Sequence, residues 1–219
     1  MGAVIGDLLP LAIGVAVSPI PIIAAILMLL GKHARTTSLG FAAGWLAGIV
    51  LATTIFVFLG GAMDTDSGPS TTASWIKVAL GVLLLAEGVR EWRARTASAA
   101  APKWMGAIDE MNPLTGLGIG FALAAVNPKN LIMCIAAGVT VGSGVLDATG
   151  EVVAVAVFSL LAATTVLIPV LGYQIASHRL SGPLERLKVW LEANNKTVMA
   201  VLILVIGVAL IGKGVGGLG

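Results

Sequence analysis

The chain has 219 residues, 58% of them hydrophobic and only 11% charged, with a formal net charge of +2 and a mean hydropathy of +1.01. A soluble domain carries about a quarter charged residues, so a water-exposed globule is excluded and no stretch leaves room for a separate soluble domain. The single cysteine, Cys134, excludes an intramolecular disulfide and dithiol chemistry, and reads as a small apolar packing residue.

The first apolar run, near 4–30, has no basic n-region before it and no A-x-A site after it, so it is expected to be a retained helix. Asp7 lies near its start. In its middle stands Ser18-Pro19-Ile20-Pro21, where two prolines flank one residue and force a discontinuity. A basic turn with Lys32, His33 and Arg35 leads to a second span near 38–60, in which Gly40, Gly44 and Gly48 form a small-residue ridge suited to close helix packing. Asp64 and Asp66 follow. The third span, near 74–92, is interrupted by Glu87, which is expected to pair locally with Arg90 three residues on. A functional carboxylate is the sharper reading of Glu87. A cytoplasmic linker over 93–113 carries Arg93, Arg95, Lys103 and Trp104.

The fourth span, near 114–140, contains "AVNPKN" (125–130). Proline lacks an N–H and clashes with the preceding turn, so this helix should break at Pro128. Non-helical backbone at membrane depth is tolerated only inside protein or beside a water-filled cavity. A lysine facing lipid would cost about 2.5–3.5 kcal/mol, so Lys129 should face inward, toward a cavity, a partner or a substrate. Asn127 and Asn130 read either as contacts for that substrate or as interhelical hydrogen-bond glue. Lys129 likewise reads as a substrate contact or as a structural ion-pair partner. The fifth span is expected near 152–173. "SGPLERLKVWLEANN" then predicts a short amphipathic helix over about 183–193 on the membrane surface, with Leu184, Leu187, Trp190 and Leu191 on one face. The sixth span, near 196–214, ends at Lys213, which could pair with Asp7.

The segments after the first, third and fifth spans hold ten of the thirteen Lys and Arg residues. By the retention of positive charge these loops are cytoplasmic and both termini lie outside. "GVLLLAEGVR" (81–90) aligns with "GVALIGKGVG" (207–216), and "VSPIPI" (17–22) with "VNPKNL" (126–131), in the same order. With three spans per half, the halves would face opposite ways. The expected fold is therefore an all-α integral membrane protein of six transmembrane helices, an inverted three-plus-three repeat with helices one and four broken. Residues 1–92 form the first repeat and 114–219 the second.

"VAVSPIPIIAAILMLLGKHARTTSLGFAAGWLAGI" and "AVNPKNLIMCIAAG" resemble the GAP family, the Sap or glycolipid-addressing proteins of the LysE transporter superfamily, and the resemblance covers nearly the whole chain. It implies a bacterial inner-membrane protein that helps export large glycolipids or peptidoglycolipids to the cell envelope. The superfamily's amino-acid exporters usually carry Pro-Gly-Pro where this chain has Ile20 between its prolines. Its redox branch uses paired cysteines.

Paired broken helices in corresponding positions point to a transport site. The expected function is export of an envelope lipid by alternating access. Ser18, Pro19, Pro21, Asn127, Pro128, Lys129 and Asn130 would line the substrate path, with Asp7, Glu87 and Lys213 as candidates for ion or proton coupling. The substrate would be an anionic or glycosylated membrane lipid. One alternative is a LysE-type exporter of an amino acid or ion. Another is a membrane scaffold for lipid-export machinery. No nucleotide-binding motif, nucleophile–base constellation or ligand-spaced histidines argue for an enzyme, a cofactor or a metal. Nothing points to nucleic acid, and the small-residue ridges are compatible with a homodimer.

Overall fold

Two Ser-Pro and Asn-Pro steps set the architecture. The computed structural model describes residues 1–62, 71–94 and 111–218. Its helices are α1 (Gly2–Ala16), α2 (Pro19–Leu30), α3 (Ala34–Ala62), α4 (Thr71–Arg93), α5 (Pro113–Ala125), α6 (Pro128–Gly142) and α7 (Ala148–Gly216). No other regular element occurs among the described residues. Asp64, Asp66, Arg95, Lys103 and Trp104, with most of the 93–113 linker, lie outside them.

α1 and α2 meet at 52°, and α5 and α6 at 64°. The residue before a proline is pushed out of the α region. Ser18 accordingly sits at φ −72°, ψ 111° and Asn127 at φ −63°, ψ 118°. Each proline then opens a new helix at its first position, where an absent N–H costs nothing. α3, α4 and the two arms of α7 are long and apolar enough to cross a bilayer, and the count is six if each bent pair is one span. The chain is a multi-pass, all-helical membrane protein.

α7 contains one non-helical residue, Ala176 at φ −136°, ψ 46°, which divides it into arms Ala148–Ala176 and Leu180–Gly216. The segment 183–193, expected as a separate short helix, is the opening part of the 37-residue second arm and runs into the last span without a break. At 1.5 Å per residue that arm is about 55 Å long, against a hydrocarbon core of about 30 Å. The face expected on it is split. Leu184 and Leu191 are buried, while Leu187 and Trp190 are about half exposed.

α3 packs in parallel along both α5 and α6. The Gly40, Gly44 and Gly48 ridge meets Pro113 O, Leu117 O and the Ala124 Cβ, and in return Gly116 and Gly120 meet Thr37 O and Phe41 O. Such approaches leave no room for a side chain and suit Cα–H···O contacts. α4 packs antiparallel on the second arm of α7. A Cβ on Gly81 would lie 2.8 Å from Gly207 O, and one on Gly207 would lie 3.0 Å from Gly81 O. Gly88 faces Leu204 as Gly214 faces Val78, and Gly81 faces Ile211 as Gly207 faces Leu85.

The basic segments share one end of the bundle. There Gln174 Nε2 donates to Arg35 O at 3.2 Å, Lys196 Nζ to Ala94 O at 2.9 Å, and Thr37 Oγ1 to Met111 O at 3.1 Å. A concavity of about 340 Å³ at this end is lined by Lys32, His33, Arg35 and Tyr173 among others. At the other end Asp7 forms an ion pair with Lys213.

Candidate functional site

A helix break strands backbone carbonyls of the preceding turn, and in a membrane they need protein partners. Both breaks meet this need with a side chain, one from another helix and one from just beyond the break. Thr165 Oγ1, on the first arm of α7, donates to Ala16 O at the end of α1. Asn130 Nδ2 donates to Leu123 O near the end of α5 at 2.9 Å. Asn127 caps α6, its Oδ1 accepting from Lys129 N–H at 3.1 Å. Ser18, in the equivalent position before α2, makes no side-chain cap. The two bent pairs touch: Gly14, one turn before Ser18, packs on Met133 of α6 and on Ile206.

The polar content of the region is buried. Ser18 is 1% exposed and its Oγ has no partner, and Asn130 Oδ1 is likewise buried and unpartnered. Trp45 Nε1 on α3 and Ser159 Oγ on the first arm of α7 are also buried without partners.

Lys129 faces inward. It is 4% exposed, and its ammonium donates to Met199 Sδ at 3.5 Å on the second arm of α7. It forms no ion pair with a carboxylate among the described residues. Met199 lies one turn from Lys196, so the ammonium points toward the basic end of the bundle and is enclosed by protein, not set in an open aqueous cavity. A thioether is a weak acceptor. The positive end of α6, whose first turn carries Lys129, adds to the local field.

Of the residues singled out in the sequence, Ser18, Pro19 and Pro21 are buried at the first break and Lys129 and Asn130 at the second, while Asn127 is half buried and Pro128 exposed. Asp7, Glu87 and Lys213 lie at neither break. Asp7 and Lys213 pair with each other, and Glu87 Oε1 holds Arg90 Nη2 at 2.6 Å, a local pair of small energetic weight. Among the described residues no three His, Cys, Asp or Glu side chains gather as a metal site. Met199 and Thr165 escaped sequence reasoning. A methionine in an apolar helix carries no signal of its own, and the one available hint for Thr165 was a pair of threonines inside the fifth span.

No curated protein and no solved structure matches the chain. One family model, described as Sap, sulfolipid-1-addressing protein, matches residues 8–216. The chain belongs to that family.

Proposed function

We propose that the protein takes part in export or addressing of a cell-envelope lipid, holding the lipid's polar or anionic headgroup at Lys129, Asn127 and Asn130. The observation that carries this reading is a buried ammonium with no carboxylate partner among the described residues, set at a helix break in the first turn of α6. The family's description supports the lipid as cargo.

In this reading the molecule is an inverted repeat of residues 1–92 and 114–219 joined by the 93–113 linker. The contacts of α4 with α7 support it. The shift that carries Gly81 onto Gly207 also carries Gly88–Leu204 onto Gly214–Val78, and Gly81–Ile211 onto Gly207–Leu85. A two-fold axis between the halves would generate such reciprocal pairs. The basic end faces the cytoplasm of a bacterial plasma membrane and both termini face outward. The breaks at Pro19, Pro21 and Pro128 act as hinges for alternating access, with Ser18 on the opposite wall of the site. The Asp7–Lys213 pair closes the outer end.

The test is the lipid profile of the cell surface in a deletion strain rescued by wild type or by Lys129→Ala. Wild type should restore the missing surface lipid and Lys129→Ala should leave it inside. Equal rescue by both would refute the reading. Enclosure of the ammonium favours a second reading, an exporter of a small anionic solute. Reconstituted protein that moves a labelled soluble anion but no lipid would establish that instead.

A further inference from the structure

The two breaks share a backbone but not a setting. At the α1–α2 break Ser18, Pro19 and Pro21 are buried, and Val17 and Ile20 are half buried. At the α5–α6 break Val126 is 68% exposed, Pro128 is exposed and Asn127 is half buried, while the next two residues, Lys129 and Asn130, are buried. Exposure thus gives way to burial within three residues, at the first turn of α6. In a membrane protein the exposed side of this break faces lipid or the cleft that opens to it.

The helix leading to the break has an open flank. The substantial neighbours of α5 are α3 and, less extensively, α6. Its other face carries Leu114 at 76% exposure, then the exposed Gly118 and Ala122 at four-residue spacing, followed by Val126. This apolar strip runs along α5 to the buried ammonium. An acyl chain suits the strip and an anionic headgroup suits its end. The ammonium meanwhile rests on a thioether, which offers it a weak acceptor and no charge. A phosphate, sulfate or carboxylate would form a charge-assisted hydrogen bond in its place.

We propose that an anionic lipid enters sideways through the α5–α6 break, its chains along the exposed face of α5, and that its headgroup displaces Met199 from Lys129. The α1–α2 break provides no such entrance. This proposal rests on the lipid reading above and adds the route and the residue that yields.

The test uses full-length protein in nanodiscs of phosphatidylcholine containing a minor fraction of phosphatidylglycerol, with a photocrosslinking residue at position 126 or, separately, at position 17. Position 126 should capture phosphatidylglycerol over phosphatidylcholine by about tenfold beyond their ratio in the disc, the scale of one charge-assisted hydrogen bond. That preference should vanish in Lys129→Ala and in Met199→Glu, which supplies a competing carboxylate. It should persist in Met199→Leu, which keeps the volume and removes only a weak acceptor, so the test stands even if Met199→Glu fails to fold. No headgroup preference at 126, a preference untouched by Lys129→Ala, or an equal preference at 17 would overturn the proposal. So would loss of the preference on adding inorganic phosphate at a concentration matching the lipid, which would identify a free anion as the ligand. If Lys129→Ala cells fail to export the lipid while position 126 shows no preference, the export reading stands and the side entrance falls.

Discussion

Ser18 and Asn127 hold nearly the same backbone angles ahead of a proline, and each ends one helix and starts another. Around Ser18 the chain is buried and apolar, the capping hydroxyl is idle, and the stranded carbonyl of Ala16 is served from α7. Around Asn127 the cap is made, the stranded carbonyl is served from within the same bent pair, and an ammonium stands where Ile20 stands in the first pair. The comparison teaches that the broken backbone is a scaffold that can be left inert or be loaded with charge. Only the loaded copy lies at the molecular surface.

The largest way to break this pairing is to push the second bent pair off its support. Gly44→Val would drive a branched side chain into the Leu117 carbonyl. Because the obstacle is backbone, relief requires moving α5, and the loss should be about 3 kcal/mol, read as a lowered unfolding midpoint in detergent. Gly14→Ala, beside the first break, meets only the flexible ends of Met133 and Ile206 and should cost about 1 kcal/mol. Lys129→Met separates charge from fold. Replacing a poorly partnered buried ion by an apolar side chain is often neutral or stabilising by about 1 kcal/mol or more, so the midpoint should hold or rise while surface lipid falls about tenfold, the effect of losing one charged contact. A folded variant with undiminished export would remove Lys129 from the site.

Two smaller changes test whether the breaks are capped alike. Asn130→Ala strands Leu123 O, and Thr165→Val strands Ala16 O. Each should cost about 1–2 kcal/mol, and the double variant should show the two losses adding to within about 0.5 kcal/mol if the breaks are independent. Ser18→Ala should be the mildest. Its hydroxyl has no partner to lose, so stability should change by less than about 0.5 kcal/mol or rise. A large loss there would mean that Ser18 is bonded in the membrane.

The breaks were legible because their signal is local. Pro10 and Pro169 also lie within apolar spans, yet α1 and α7 run through them. Leu9 and Ile168 precede those prolines, whereas Ser18 and Asn127 are residues that favour the position before a helix. A proline with a capping residue ahead of it starts a helix; a proline alone need not. The glycine ridge of α3 was legible for the same reason, since its spacing places three small residues on one face. The partner of Lys129 was not legible, because Met199 is seventy residues away and apolar. The continuity of the second arm of α7 was not legible, because 183–193 is amphipathic and 196–214 is apolar, a change in pattern that reads as two elements. In the structure Asn194 Nδ2 donates to Trp190 O at 2.8 Å, one turn back, and the helix passes through.

That uninterrupted arm gives the molecule a mechanical property. Met199 and the buried Leu184 and Leu191 ride on a single helical arm longer than a hydrocarbon core is thick, with the basic residues Arg186, Lys188 and Lys196 along its first half. A helix resists twisting and bending over such lengths, so a torque applied at Leu184 is delivered to Met199 about four turns away with little loss. Grip on that basic half, by a protein or by the polar surface of the bilayer, would therefore set how readily the thioether leaves the ammonium.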